Sequence, residues 1–457
     1  MANITLGTKD TFASYAVYTT KNCLIDTNRY VTCFLKDIGA SKGELWATIY
    51  DVNSDNTKSH LVTQKITTSE AKIGASYAID VCKYDTNKFV VIFKRWLDGW
   101  EVANFHYNGS VIIDFGNHYV DTLANQVWFA CTDIAINKIV ISAGAPMTAL
   151  LWCFSLISDV LTYDISWASV NYMERMSLTK FDENKFLCAF YNNSLLRGQA
   201  FIGSTLDGLG NRTISFGSTI DINGSNVTYA IGTCSPSPNK GIITFDSRDD
   251  SDGRAVAVTG IGNVLTAGSP IVFETGPTRN TNCCKSEYDA FVVAYIDNGA
   301  SQSGKTSLCK VDWITRIIYP EAPETFESGP TGGGTDNALD ICNINDNQIA
   351  ISYQDDDDSD YGKSIVGTFL HYNLEAPDNV IVTPGPEKNT VTWDSNDEAD
   401  TDNMYWSITD VAFPNDTFEN LDNWTINTIT GAGVTVTIDS NQLKLYIPDA
   451  VNGYILM

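Results

Sequence analysis

CKYDTNKFVVIF, residues 82–93, decides the fold, because nearly the same phrase returns along the chain. It recurs as CLIDTNRYVTCF at 23–34, CTDIAINKIVIS at 131–142 (one residue inserted) and TKFDENKFLCAF at 179–190. Further copies are CSPSPNKGIITF at 234–245, CKSEYDAFVVAY at 284–295 and CNINDNQIAISY at 342–353. The first positions of the seven copies lie 59, 49, 48, 55, 50 and 58 residues apart. In each, a Cys or Thr closes an apolar run, an Asn- or Asp-containing turn follows, and a run rich in Val, Ile, Phe and Tyr begins. Asn and Asp suit the turn because they tolerate left-handed backbone angles and bond to their own backbone. The flanking runs have strand composition. The phrase reads as the first hairpin of a repeating unit.

Each unit holds two more strands. Around the second copy, ASYAIDVC (75–82), KFVVIF (88–93), EVANFHY (101–107) and SVIIDF (110–115) give strands A to D, and no long helical period appears. Units of roughly 40–50 residues with four short strands resemble the blades of a β-propeller. The resemblance implies an all-β chain with a seven-bladed β-propeller over residues 1–374. The seventh unit has strands near 338–342, 348–353 and 365–372 but no fourth, while ANITLGTKDTF at 2–12 precedes the first strand A without a blade of its own. The expectation is that this N-terminal strand closes the seventh blade and removes two free sheet edges.

After Tyr372 the composition changes. From Glu375 onward there are 14 acids and 2 bases. An Ala-Pro start, Val391-Thr392-Trp393-Asp394 and Tyr405-Trp406-Ser407 are similar to the opening strands of a fibronectin type III domain, over 375–410. Phe418, Leu421-Asp422 and Trp424 resemble the start of a jelly-roll or concanavalin-like module, over 411–457. Together they predict a small C-terminal β-sandwich-like region. The final YILM reads as a strand in mid-sheet, so a longer natural polypeptide or a completing partner is expected.

The chain has 457 residues, 43% of them hydrophobic, and a formal charge of −26. That balance argues against nucleic acid and against an anionic membrane, both of which need clustered Lys and Arg. No apolar run approaches a membrane span, and MANITLGTKDTF lacks the basic start and apolar core of a signal peptide. Synthesis in a cytoplasm is expected, with release as part of a particle or by a non-classical route. Six of the 11 cysteines occupy equivalent positions in successive units, too far apart around a ring for disulfides, so buried free thiols are expected.

Two features carry candidate chemistry. The B–C hairpin tips are acidic: DSRDDSDGR at 246–254 and QDDDDSDYGK at 354–363 are the richest. Carboxylates at alternating positions beside a Gly can wrap Ca2+. The candidate ligands are Asp246, Asp250 and Asp252, and Asp356, Asp358 and Asp360; the competing reading is solvated turn chemistry. Trp96 and Trp100 flank a tight turn in KRWLDGWE and could stack on sugar rings. No nucleophile elbow, HExxH or P-loop is present, the four His form no pattern, and the tips lack the order of a sialidase Asp-box.

The expected function is a non-enzymatic structural or adhesive one. In modular arrangement the chain resembles phage fibre and virion surface proteins. That implies a virion or extracellular location and contacts with other virion proteins or host-surface glycans. The alternatives are an extracellular carbohydrate-binding adhesin and a glycan-degrading enzyme on a propeller scaffold.

Overall fold

The structure is a computed structural model. It describes residues 4–369 except 74–78, 97–98, 117–118, 122–127, 146–147, 170–172, 208–211, 223–227, 248–249, 287–289, 300, 333–337 and 346. Beyond 369 it describes 381–384, 389–392, 435–439, 442–446 and 454–455. Every regular element among these residues is a strand, and no helix is long and apolar enough to cross a membrane. The chain divides into two compact units, Met1–Leu370 and His371–Met457. The second contains a hairpin of Ile381–Pro384 and Asn389–Thr392, and a three-stranded sheet of Thr435–Asp439, Gln442–Tyr446 and Tyr454–Ile455. The resemblances read at 375–410 and 411–457 fall mostly outside the described residues.

In the first unit each of the first six sequence repeats folds as antiparallel strands in the order A–B–C–D, the form of a propeller blade, and the seventh supplies three strands. The second repeat is typical: Ile79–Asp85, Lys88–Lys94 and Trp100–Tyr107, with Ile112–Asp114 pairing along the last of these. The A strands are Asp10–Asp26, Ile79–Asp85, Trp128–Ala135, Met173–Asp182, Thr228–Ser237, Thr278–Lys285 and Leu339–Asn345. Each packs against the next, and the last packs against the first. The B strands are nearly all apolar and buried on both faces; Val90, Val91, Ile92 and Phe93 are fully buried. That is why their sequence shows continuous apolar runs instead of alternation.

The N-terminal residues run along the seventh sheet. Ile4–Leu6 pairs with Tyr361–Phe369, starting at Ile4↔Phe369. The front of Asp10–Asp26 continues on the same strand, from Asp10↔Ser364 to Ala16↔Tyr361. At Val17 the strand changes partner and pairs with Lys36 of the first sheet.

The repeated phrase has a structural job. Asn28, Asn87, Asn137, Asn184 and Asn239 all sit in the left-handed region, with φ between 56 and 61°. Their carbonyls accept from strand C of their own sheet, as from Tyr107 N–H to Asn87 at 2.9 Å and from Gly260 N–H to Asn239 at 2.9 Å. Their N–H groups reach the preceding sheet: Asn87 donates to the Ile25 carbonyl at 2.9 Å, Asn184 to Ile134 at 3.1 Å and Asn239 to Phe181 at 2.8 Å. The side chains follow, with Asn87 Nδ2 donating to Asp26 and Asn239 Nδ2 to Asp182. One residue thus fixes a turn, a strand and a neighbouring sheet.

A second device repeats between sheets five, six and seven. Phe273 lies over Gly253, Phe326 over Gly304 and Phe12 over Gly362, so that a Cβ at any of these glycines would collide with the ring. Each Phe also meets an aromatic ring of the following sheet: Phe273–Tyr295 at 5.1 Å, Phe326–Tyr353 at 5.1 Å and Phe12–Phe34 at 5.0 Å. Phe12 thus serves the seventh sheet as the outer-strand residues Phe273 and Phe326 serve theirs. Gly304→Ala should lower stability by about 1–3 kcal/mol through overpacking, measured by urea denaturation. Unchanged stability would contradict this close contact.

Candidate functional site

The site emerges from a departure in the repeat. After Phe273 and Phe326 comes a glutamate that reaches the next sheet. Tyr295 donates to Glu274 at 2.6 Å, and Lys305 bridges Glu274 at 3.3 Å and Asp297 at 2.6 Å. Tyr353 donates to Glu327 at 3.0 Å, which Lys9 also meets at 2.9 Å. Burial, then the adjacent glutamate, pushes both tyrosine hydroxyls far up, so neither ionises as a nucleophile. These Tyr–Glu pairs were not anticipated. Their signal was in the sequence as FETGP at 273–277 and FESGP at 326–330.

At the first sheet the same positions change chemistry. Ala13 pairs with Gly362 as Glu274 pairs with Gly253 and Glu327 with Gly304. Phe34 replaces the tyrosine, and Trp46 faces it as Lys305 faces Tyr295. Tyr15 joins Trp46 with ring centroids 6.0 Å apart, and the Lys36 ammonium lies 4.4 Å from one ring and 5.2 Å from the other. Trp46 Nε1 donates to Glu44 at 3.1 Å, and Lys65 grips the same carboxylate at 2.8 Å. The Lys65 hydrogen bond is the largest influence holding Glu44 below the usual carboxylate range. Burial, then Glu44, pushes Tyr15 up to about 12. Next to this cluster, Lys42 lies 5.4 Å over Trp96 and pairs with Glu70 at 2.8 Å, while Trp96 N–H donates to the Glu70 carbonyl. The first and second sheets therefore share a rim of half-buried Tyr15, Trp46 and Trp96 with charged groups held beside each ring.

Of the two tryptophans expected at a sugar platform, only Trp96 lies on this rim. Trp100 is fully buried, 4.6 Å from Trp152 and 6.4 Å from Phe129, because it opens strand C and fills the space between the second and third sheets. That expectation is corrected. Trp46 and Tyr15 stand outside the sugar platform that the sequence predicts.

The acidic tips turn inward to the chain's own cations. Asp250 and Asp252 both meet Arg254, and Asp252 also accepts from Gly276 N–H at 2.9 Å. Asp246 is buried. Asp358 and Asp355 flank Lys363. Asp356 N–H donates to Pro330, and Asp360, with Ser359, forms a left-handed hairpin turn whose carbonyl receives Val17 N–H. Among the described residues no three His, Cys, Asp or Glu side chains are grouped to hold a metal ion. The eleven cysteines are free thiols, and ten are buried.

Close to the inner strands lies an ionic arc of buried Asp340 with half-buried Lys21 and Asp80. Lys21 pairs with Asp340 at 3.5 Å, and Asp340 also accepts Asn22 N–H at 2.6 Å. Asp80, in the next sheet, accepts Cys131 N–H at 2.7 Å. Burial works against the Lys21 charge, but Asp340 and Asp80 more than restore it. Burial pushes Asp80 up to about 6, despite Lys21. Its folded value therefore lies above its unfolded one, so its ionisation costs stability above pH about 6 and relieves that cost as pH falls towards 4. Asp80→Asn keeps the acceptor for Cys131. It should raise the melting temperature at pH 7.5 by about 1–3 °C, with the gap to the parent closing at pH 4.5. A gap that widens on acidification would contradict the shift.

No protein-family model matches the chain, and no curated protein matches its sequence. Solved structures that resemble it include the SapL1 lectin in complex with α-methyl fucoside: 12% identity, TM-score 0.44, 70% of this chain and 97% of the lectin covered. A 6-phosphogluconolactonase-like protein from Bacteroides fragilis gives 10%, 0.45, 77% and 95%, and a Hadza microbial sialidase gives 8%, 0.43, 79% and 68%.

Proposed function

We propose that the chain is a non-catalytic recognition scaffold: a seven-bladed propeller, closed by its N-terminal strand, that binds carbohydrate on the rim of its first two blades. One observation carries the reading. Tyr15, Trp46 and Trp96 present half-buried rings beside Lys36, Glu44, Lys65, Lys42 and Glu70. An amphipathic ring covers the C–H face of a sugar while neighbouring charged groups bond its hydroxyls, and rigid aromatics bind at small entropic cost. The closed-ring reading is supported by the cycle of A-strand contacts and by Phe12 acting as an outer-strand residue of the seventh sheet.

The non-catalytic part rests on the state of the acids and tyrosines. Glu274, Glu327, Asp297 and Asp355 are all tied to tyrosine or lysine, which occupies them in holding neighbouring sheets together. Calcium is not part of the proposal, since Arg254 and Lys363 lie among the tip carboxylates. A place in a virion has no support in the fold or the site.

The test is glycan-array screening of the full chain, followed by titration of the best ligand against Trp46→Ala and Trp96→Ala. Each substitution should weaken binding at least about tenfold, or ~1.4 kcal/mol, with the melting temperature little changed. Absence of glycan binding, or binding indifferent to both substitutions, would overturn the proposal.

A further inference from the structure

A second departure in the first sheet bears on which sugar the rim accepts. In the sixth sheet Tyr295 stands opposite Lys305, with Asp297 two residues further along strand B; in the seventh Tyr353 stands opposite Lys363, with Asp355 two residues further. The lysine meets that aspartate in both sheets, Lys305 with Asp297 at 2.6 Å and Lys363 with Asp355 at 3.9 Å. The first sheet keeps the same register, with Phe34 opposite Trp46 and Lys36 opposite Glu44. Lys36 therefore occupies the aspartate's place and Trp46 the lysine's. The acid of the pair has become a base, and the base has become an aromatic ring.

This exchange leaves Lys36 without the opposite charge that its counterparts meet. Of the rim lysines, Lys65 is bound to Glu44 and Lys42 to Glu70, each at 2.8 Å, and no carboxylate among the described residues lies in ion-pair contact with Lys36. Glu44, the acid across the strand pair, is held by Lys65 and by Trp46 Nε1. Asp37 is the next residue along the strand, so it belongs to the other face, and its carboxylate accepts from Gly39 N–H at 2.7 Å. The Lys36 ammonium rests on the Tyr15 and Trp46 rings, 4.4 and 5.2 Å from their centres. Ring faces favour the charged form. A half-buried cation without an acid partner is thus kept beside the aromatic platform, in a chain whose formal charge is −26.

We propose that the rim of the first two blades selects an acidic sugar, a hexuronate whose carboxylate pairs with Lys36 while its ring lies on the Tyr15–Trp46 pair. Because the ammonium sits against the rings themselves, the anion it meets must hang close to the stacked sugar ring. The C6 carboxylate of a hexuronate is one bond from that ring. A neutral sugar offers the same stacking face but leaves Lys36 without a counter-ion. The ligand carboxylate fills the place that Asp297 and Asp355 fill in the sixth and seventh sheets. The selectivity rests on carbohydrate binding at this rim, as proposed above, and narrows it to one chemical class.

The test is calorimetric titration of the full chain with trimers of galacturonate, glucuronate and mannuronate, each as the free acid and as its methyl ester, which keeps the ring and loses the charge. The best-bound free acid should bind about tenfold tighter than its ester at low salt, and the ratio should shrink at high salt. Lys36→Gln should bring the ratio to about one, and Lys36→Arg should keep it. Acid and ester binding equally well, or a ratio that either salt or Lys36→Gln leaves intact, would overturn the acidic-sugar assignment while leaving carbohydrate binding in place. Failure of every trimer to bind would overturn it too, and the glycan array separates that result from a rim that takes no sugar at all.

Discussion

An innermost strand has no sheet partner on one side, and its outward N–H groups must be satisfied near the centre of the molecule, where an orphaned donor is costly. The rest of the first unit follows from how this chain meets that demand. Asp340 takes the N–H of Asn22, Asp80 takes that of Cys131, and Ser177 and Thr233 bond each other from sheet to sheet. At the turn below, Asn N–H groups reach the carbonyls of the preceding sheet. At these positions a sheet's inner edge is completed by its neighbour.

That interdependence makes the seam between the seventh and first sheets a special place. At the fifth and sixth sheets an outer strand supplies a Phe for its own sheet and a Glu for the next. At the seam the N-terminal segment supplies Phe12 and Ala13, and the partner positions change together: tyrosine becomes Phe34, lysine becomes Trp46. A glutamate without a hydroxyl to receive would be a buried charge without a partner, so the loss of both members at once is the inexpensive solution. The outcome is an aromatic rim where the two preceding seams hold polar struts. Close by, the same N-terminal segment contributes Asp10, which accepts from the Tyr50 hydroxyl.

The repeating hairpin was legible because its turn demands a residue that tolerates positive φ, and Asn is written at that point in most copies. The strands of the second and seventh repeats fall close to where the apolar runs place them. Side-chain destinations were far less legible. Trp96 and Trp100 look alike in KRWLDGWE, yet one lies on the rim and the other in the core, since Trp100 opens a buried strand and Trp96 lies outside the strands. The tip carboxylates meet Arg254 and Lys363, which close the same short segments, a pairing that a run of acids does not reveal by itself. The FETGP and FESGP pair was visible all along, but its meaning depends on which sheet each glutamate reaches.

The most direct measurement is amide hydrogen exchange at the inner edge, read at Asn22, Cys131, Asn87, Asn184 and Asn239. If neighbouring sheets complete one another's edges, these amides exchange only through global unfolding, with the protection of Val91 or Ile351 in the centres of the B strands. Exchange at the rate of a free sheet edge, while the B strands stay protected, would contradict the account.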